Sequence, residues 1–153
     1  MTIELLTEKS SLLDQGIRYF WTCWGRDSNF SFYENCIQNS LSDAIDLPKF
    51  YLLLQGEEII GSYALLRNDI ISRQDLVPWF ACLHVEEAFR NRGLAEKLLK
   101  HALEEAQKMG YDQLYLSTSL DGFYEKKGWT FFADGYGVGG DLFKIYAKST
   151  GEG

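Results

Sequence analysis

Seven residues, Trp79-Phe80-Ala81-Cys82-Leu83-His84-Val85, lead after one short loop into a helix-patterned stretch from Arg92 to Met109. That succession constrains the fold more than any other feature of the chain. A nearly continuous apolar run of this length reads as a central strand buried on both faces. The helical stretch carries Leu94, Leu98, Ala102, Ala106 and Met109 along one face, with Ala95, Leu99 and Leu103 beside them. Such a stripe packs against a sheet. Glu96–Lys100 and Glu104–Lys108 are i,i+4 pairs on the wet face, and Gly110 stops the helix. Gln113 to Thr118 then alternates as a second strand. A strand–helix–strand unit crosses over right-handed, so its two strands run parallel. Ligands of such units sit beyond the carboxyl ends of the strands, where the loop before the helix begins.

The remaining segments extend this unit at both ends. Thr2 to Thr7 reads as a short first strand with alternating Ile3 and Leu5. Ser10 and Ser11 are positioned to cap a helix running through Gly25, on which Leu12, Leu13, Ile17, Phe20, Trp21 and Trp24 recur at helical spacing. A second helix is expected from about Phe32 to Leu41. Phe50 to Leu54 and Ile59 to Leu66 form a hairpin across Gln55-Gly56-Glu57-Glu58. After the second parallel strand comes a short helical piece from Phe123 to Lys127, stopped by Gly128. Two closing strands lie near Trp129 to Ala133 and Leu142 to Ala147. Alternating strands and helices with one hairpin predict a mixed α/β sheet of about six to seven strands with helices on both faces.

Composition narrows the partners. The chain has 153 residues, the size of a single domain over 1–153, and 46% of them are hydrophobic, enough for a core. Fifteen basic residues stand against 22 acidic ones, a net charge of −7. A phosphate backbone is repelled by such a surface, so nucleic acid is not an expected partner; the acidity itself reads first as solubility, with a preference for cationic substrates as the alternative. No apolar run approaches the roughly 18 residues a membrane helix needs, and no signal-peptide pattern opens the chain. The expectation is cytoplasmic residence without membrane attachment. Cys23, Cys36 and Cys82 show no Cys-x-x-Cys spacing, and His84 and His101 are not spaced as a ligand pair. Neither a disulfide framework nor a metal site is expected.

The loop Arg90-Asn91-Arg92-Gly93-Leu94-Ala95 opens the long helix. A helix N-terminus presents N–H groups without helical partners and the positive end of the macrodipole, which together favour anions such as a pyrophosphate. Gly93 lets the backbone come close to phosphates. Ala95 is small, and Arg90 and Arg92 add local positive charge. Isolated, this pattern describes a solvated turn; between a buried strand and an amphipathic helix it marks an anion site.

The run from Leu83 to Leu99, with its R-x-x-G-x-A, resembles the coenzyme-binding motif of the GNAT superfamily of acyl-CoA N-acyltransferases, a strand followed by (Q/R)-x-x-G-x-(G/A) opening a helix. Ala95 stands where the family more often has glycine. Gly122-Phe123-Tyr124-Glu125-Lys126-Lys127-Gly128-Trp129 is similar to the family's F-Y-x-K-x-G-F segment. The two matches cover Pro78 to Trp129, about a third of the chain. The resemblance implies a GNAT-like sheet with a central splayed pair of parallel strands, partly opened by a bulge. It implies that the backbone of Arg90, Asn91, Arg92, Gly93, Leu94 and Ala95 holds the pyrophosphate of acetyl-CoA. The main chains of Leu83 and Val85 would then hold the pantetheine arm, in a gap reaching Leu116–Ser117. Val85 N–H would polarise the thioester carbonyl, and Tyr124 would protonate the departing thiolate. A phenol suits that role because its ordinary pKa of about 10 lies above a thiol's of about 8.5.

The implied reaction is direct acetyl transfer from acetyl-CoA, a cosubstrate, to a primary amine in a ternary complex. An alternative is a non-catalytic acyl-CoA-binding regulatory module. A nucleotide binder is disfavoured by the absence of G-x-x-x-x-G-K-[ST] and G-x-G-x-x-G. The amine must lose a proton first, and Asp75, Glu57, Glu58 and His84 are candidates for taking it. The acceptor is a small-molecule or peptide amine. Its pocket is expected to draw on the aromatic-dense segment holding Tyr19, Phe20, Trp21, Trp24, Phe30, Phe32 and Tyr33. Most of these rings are expected in the core, with one or two left as a cation-binding wall. Pairing of two chains through the closing strands, a homodimer, is compatible with this fold.

Overall fold

The structure, a computed structural model, describes residues 1–152, the side chain of residue 152 apart. It is a mixed α/β fold in which seven strands stand in the order β1-β2-β3-β4-β5-β7-β6. Among the described residues no helix is long and apolar enough to cross a membrane. The chain divides into two compact units: Met1–Ala64 with Cys82–Leu98, and Leu65–Ala81 with the chain from Leu99 onward.

In the first unit, strand β1 (Thr2–Leu5) lies antiparallel to β2 (Lys49–Gln55), with Thr2 opposite Leu54 and Leu5 opposite Tyr51. The Gly56–Glu57 turn carries β2 into β3 (Glu58–Leu66). The stacked rings of Tyr51 and Tyr63, centroids 4.4 Å apart, join the two strands. Helix α1 spans Leu13–Trp24 and buries Gly16, Ile17 and Phe20. It starts later than its serines predict. Ser10 Oγ accepts the N–H of Thr7 at 2.9 Å, so the hydroxyl is used at the exit of β1 and no side chain caps α1. Helix α2 spans Phe30–Gln38, two residues earlier at its start and three shorter at its end than its pattern predicts. Its end turns at Ser40, whose hydroxyl donates to Ile37 O at 2.6 Å. Lys49 is buried here, its Nζ donating to the carbonyls of Ser40 and Ser42 at 2.9 and 3.0 Å. Both of these acceptors are main-chain carbonyls, which offset the cost of burying the charge.

Strand β4 covers Trp79–Val85, as expected, but it is not buried throughout. Trp79, Phe80 and Ala81 are buried, and from Cys82 to Val85 the strand is only half covered. The change falls at Cys82, whose φ of +57° is a left-handed value rarely adopted by a residue with a Cβ. In a strand such a residue marks a bulge-type break in the pleat. Contact with β3 continues past it, since Ser62 Oγ donates to Cys82 O at 3.0 Å and Glu86 N–H donates to Ile60 O at 2.8 Å.

In the second unit, β5 (Gln113–Thr118) runs parallel to β4 with Tyr115 opposite Trp79. β7 (Leu142–Ser149) pairs antiparallel with β5 and with β6 (Thr130–Tyr136). Ile71, Leu76, Trp79 and Ile145 form a buried cluster, with Leu66, Tyr115 and Phe143 packed on it. Helix α3 (Leu94–Lys108), assigned to the first unit through Leu98 and to the second from Leu99, buries Leu94, Leu98, Leu99, Ala102, Leu103 and Ala106, the stripe its periodicity predicts. Its Lys108 pairs with Glu105 at 3.2 Å, one residue nearer than expected.

Candidate active site

The loop between β4 and α3 begins with a short 3-10 turn, Glu87–Phe89. Asn91 and Gly93 then take left-handed conformations, φ +64° and +72°. Alternation of left-handed residues at two-residue spacing is the kind of geometry from which backbone anion cradles are built. A Cβ placed on Gly93 would meet nothing within 4 Å, so the space beside its backbone is open. Lys97 N–H donates to Gly93 O at 3.1 Å. Gly93 is therefore the residue from which α3 springs, and the first-turn N–H groups that have no i−4 carbonyl begin with Leu94 and Ala95. Glu96 in that turn opposes an anion, and its side chain is exposed.

The arginines are placed differently from a pair of free cations. Arg90 Nε donates to Val85 O at 2.9 Å, tying the loop back to the strand end. Arg92 lies over the Phe89 ring at 5.3 Å. Asn91, Arg92 and Gly93 are exposed, Leu94 is buried, and Leu83 and Val85 are half-buried at the end of β4.

At the same strand end stands a polar cluster. His84 and Glu86 share a face because side chains alternate along a strand, and both meet α1. Glu86 Oε2 accepts from the Tyr19 hydroxyl and lies 2.9 Å from His84 Nε2. The Tyr19 hydrogen bond, and after it His84, hold the Glu86 carboxyl below the usual range against the opposing effect of burial. Burial and the Glu86 contact push the Tyr19 phenol upward. Burial, with the nearby Glu86 charge, pushes the Cys23 thiol up to about 11. Tyr19 and Trp24 set their rings 6.0 and 6.1 Å from the imidazole. Of the seven aromatics expected mostly in the core, only Phe20 is fully buried; Trp24 is 37% and Phe32 59% exposed. Tyr19, Trp21, Phe30 and Tyr33 are half-buried, because the amphipathic period of α1 gives the core only Gly16, Ile17 and Phe20.

In the second unit, Tyr124 is half-buried among Phe123, Trp129 and Tyr146, at centroid distances of 4.8, 6.3 and 6.4 Å. Burial raises its phenol pKa. The helical piece around it is shorter than expected, a 3-10 turn over Glu125–Lys127. Tyr124 O accepts both Lys127 N–H and Trp129 N–H. Glu125 Oε1 accepts Gly122 N–H at 3.1 Å and the Tyr146 hydroxyl at 2.8 Å. These bonds fix the backbone on both sides of Tyr124.

A carboxyl that the sequence reading passed over, Asp69, is pushed up to about 6 by burial, opposed by a hydrogen bond with Ser117. Of the base candidates, Asp75 is exposed and bound by Arg73 at 2.8 and 2.9 Å, which lowers its pKa. Glu57 and Glu58 are exposed in the hairpin turn. Glu86 was also missed. Its only signal is its place two residues after His84; its partner Tyr19 is 67 residues away in sequence. Among the described residues no group of three or more His, Cys, Asp or Glu side chains is arranged to hold a metal ion.

A sequence profile of the acetyltransferase (GNAT) domain matches residues 46–131, more than half of the chain. No curated protein sequence matches it. Among solved structures, an aminoglycoside 6'-N-acetyltransferase complexed with coenzyme A superposes with a TM-score of 0.71 at 16% identity, covering 98% of this chain and 97% of that one. Aminoglycoside 6'-acetyltransferase type Ii gives 0.71 at 20% identity, with 98% and 97% covered. A GNAT family acetyltransferase from Elizabethkingia anophelis with acetyl-CoA bound gives 0.61 at 18%, with 97% of each chain covered. At such identities the superpositions establish the fold.

Proposed function

We propose, from the premise that this chain belongs to the GNAT acetyltransferase family, that it transfers the acetyl group of acetyl-CoA directly to a primary amine. The observation that carries this reading is the passage from β4 to α3. A half-uncovered strand end is followed by left-handed Asn91 and Gly93, with open space at Gly93 and a helix start immediately behind. The backbone of Arg90 to Ala95 binds the pyrophosphate, and the main chains of Leu83 and Val85 align the pantetheine arm. The Val85 N–H polarises the thioester carbonyl as negative charge develops on its oxygen.

Tyr124 serves the departing sulfur. With its pKa raised above the ordinary phenol value, full proton transfer to a thiolate is uphill. Its contribution is a hydrogen bond that strengthens as charge moves onto sulfur, completed by transfer as coenzyme A leaves. The acceptor is a cation. The net charge of −7 and the exposed rings of Trp24 and Phe32 both favour one, and three of the structural neighbours are aminoglycoside acetyltransferases by name. The same reading takes 1–153 as one catalytic domain in the cytoplasm, without metal. It includes a homodimer through the closing strands, where Phe131, Phe132 and Tyr136 are each about half exposed on β6 at the end of the strand order; sedimentation of the native chain and of Phe131→Lys tests this.

Calorimetric titration with acetyl-CoA, ATP and NAD tests the central claim. Acetyl-CoA alone should bind, and chromatographic detection of free coenzyme A should rise on addition of an amine. Binding without amine-dependent release means a non-catalytic acyl-CoA module, and no binding removes the assignment.

A further inference from the structure

We propose that His84 is the base that takes the proton from the acceptor ammonium, with Glu86 and Tyr19 as the residues that position it. The inference rests on the acetyl-transfer reading above and adds to it the group that prepares the nucleophile.

The geometry decides which nitrogen acts. Glu86 is held in its ionised form, and an ionised carboxylate only accepts hydrogen bonds. The contact of His84 Nε2 with Glu86 Oε2 therefore requires the proton on Nε2. In the neutral ring the lone pair then lies on Nδ1. The Tyr19 hydroxyl donates to the same oxygen, Oε2, so helix α1 fixes the carboxylate and the carboxylate fixes the ring. An imidazole oriented in this way gains a charge partner at the moment it becomes imidazolium.

The surroundings match a cation. From α1, Tyr19 and Trp24 place aromatic rings against His84, and Trp24 is partly exposed at the rim. Two further titratable groups stand near the pair: the Arg90 guanidinium, which lowers the Glu86 pKa, and the Cys23 thiol of α1, which the Glu86 charge helps push up. Cys82, on β4 itself, acts on Tyr33 of α2. β3 contributes main chain, the backbone of Gly61 lying against His84 O. His84 also lies next to Val85, whose N–H is assigned to the thioester carbonyl; a main-chain N–H points in the plane of the sheet, so base and electrophile are organised from adjacent residues of one strand.

The step balances as follows. The ammonium gives one proton to His84 Nδ1, and the freed nitrogen lone pair attacks the thioester carbonyl carbon. The carbon–nitrogen bond forms, the carbon–sulfur bond breaks, and the nitrogen sheds a second proton on collapse. One proton leaves with the coenzyme thiol, and the other passes from His84 to solvent.

The chain has two histidines, His84 and His101, so ring-nitrogen NMR of the native protein labelled with nitrogen-15 histidine reads the tautomer without any substitution. The Nε2–H form at pH 8 is expected for His84, and the Nδ1–H form overturns the proposal. Kinetics use kanamycin, spermidine and lysine methyl ester at saturating acetyl-CoA. His84→Gln should lower kcat about a hundredfold at pH 7, with the deficit closing as pH rises and the amine deprotonates unaided; the KM for acetyl-CoA should hold. Glu86→Gln should move the pH limb of kcat with a smaller loss. A His84→Gln enzyme with the native pH profile sinks this inference and leaves acetyl transfer standing. A native protein that binds acetyl-CoA yet turns over none of the three amines overturns both readings.

Discussion

A β-carbon placed on Gly61 would stand 2.7 Å from the carbonyl oxygen of His84, a separation that real side chains do not adopt against backbone. β3 thus lies flush on β4 at the residue whose ring faces α1. Gly61→Ala must push the strands apart there, at an expected cost of about 1–3 kcal/mol. For a domain of this size each kcal/mol lowers Tm by roughly 2–4 °C. Differential scanning calorimetry measures this, and an unchanged Tm contradicts the close approach.

At Gly93 the argument is the reverse. A methyl group there meets no protein atom, so the cost of Gly93→Ala is conformational, about 1–2 kcal/mol for a left-handed alanine. The added methyl occupies the space assigned to the pyrophosphate. Affinity for acetyl-CoA should fall about tenfold, equivalent to roughly 1.4 kcal/mol, and isothermal titration checks it. Full affinity in this variant removes the phosphates from the loop.

Tyr124→Phe keeps the ring packing against Trp129 and Tyr146 and removes only the hydroxyl. The expected result is a kcat lower by about a hundredfold with acetyl-CoA binding intact, the usual penalty for losing one donor to developing charge. Equal rates at every pH exclude the hydroxyl from the chemistry.

Asp69 makes stability depend on pH. Its folded pKa of about 6 lies above the ordinary 3.8, so between those values the folded state binds more protons than the unfolded state. Stability is complete below pH 4, declines as pH rises through about 6, and is level beyond. The decline amounts to on the order of 2–3 kcal/mol. Asp69→Asn should flatten it and raise Tm at pH 7.5 relative to pH 4.5. A steeper decline in the variant is the opposite outcome.

Strand limits were legible where composition changes sharply: Trp79–Val85 and Gln113–Thr118 agree with their sequence patterns residue for residue. Helix α3 starts at Leu94 rather than Arg92 because Asn91 and Gly93 take left-handed angles, a feature that periodicity does not register. Ser10 carries a capping residue's chemistry, yet a local turn from Thr7 to Ser10 claims its hydroxyl. The loop from Arg90 to Ala95 stands out in the sequence because its pattern is local, a glycine-bearing turn directly before an amphipathic stretch. The His84–Glu86–Tyr19 cluster could not be read as a whole, since the residue that orders Glu86 comes from a distant helix. Asp69 looks like a loop carboxyl until its burial is known.

Lys49 gives the chain an internal reporter of opening. A protein that handles an acetyl thioester exposes its own lysines to slow acetylation, and reaction requires an amine that is both accessible and deprotonated. Lys49, buried with its ammonium held by the Ser40 and Ser42 carbonyls, is not accessible while the fold is closed. Mass-spectrometric acetyl occupancy at this residue, set against that of lysines on the wet face of α3, counts how often its surroundings open.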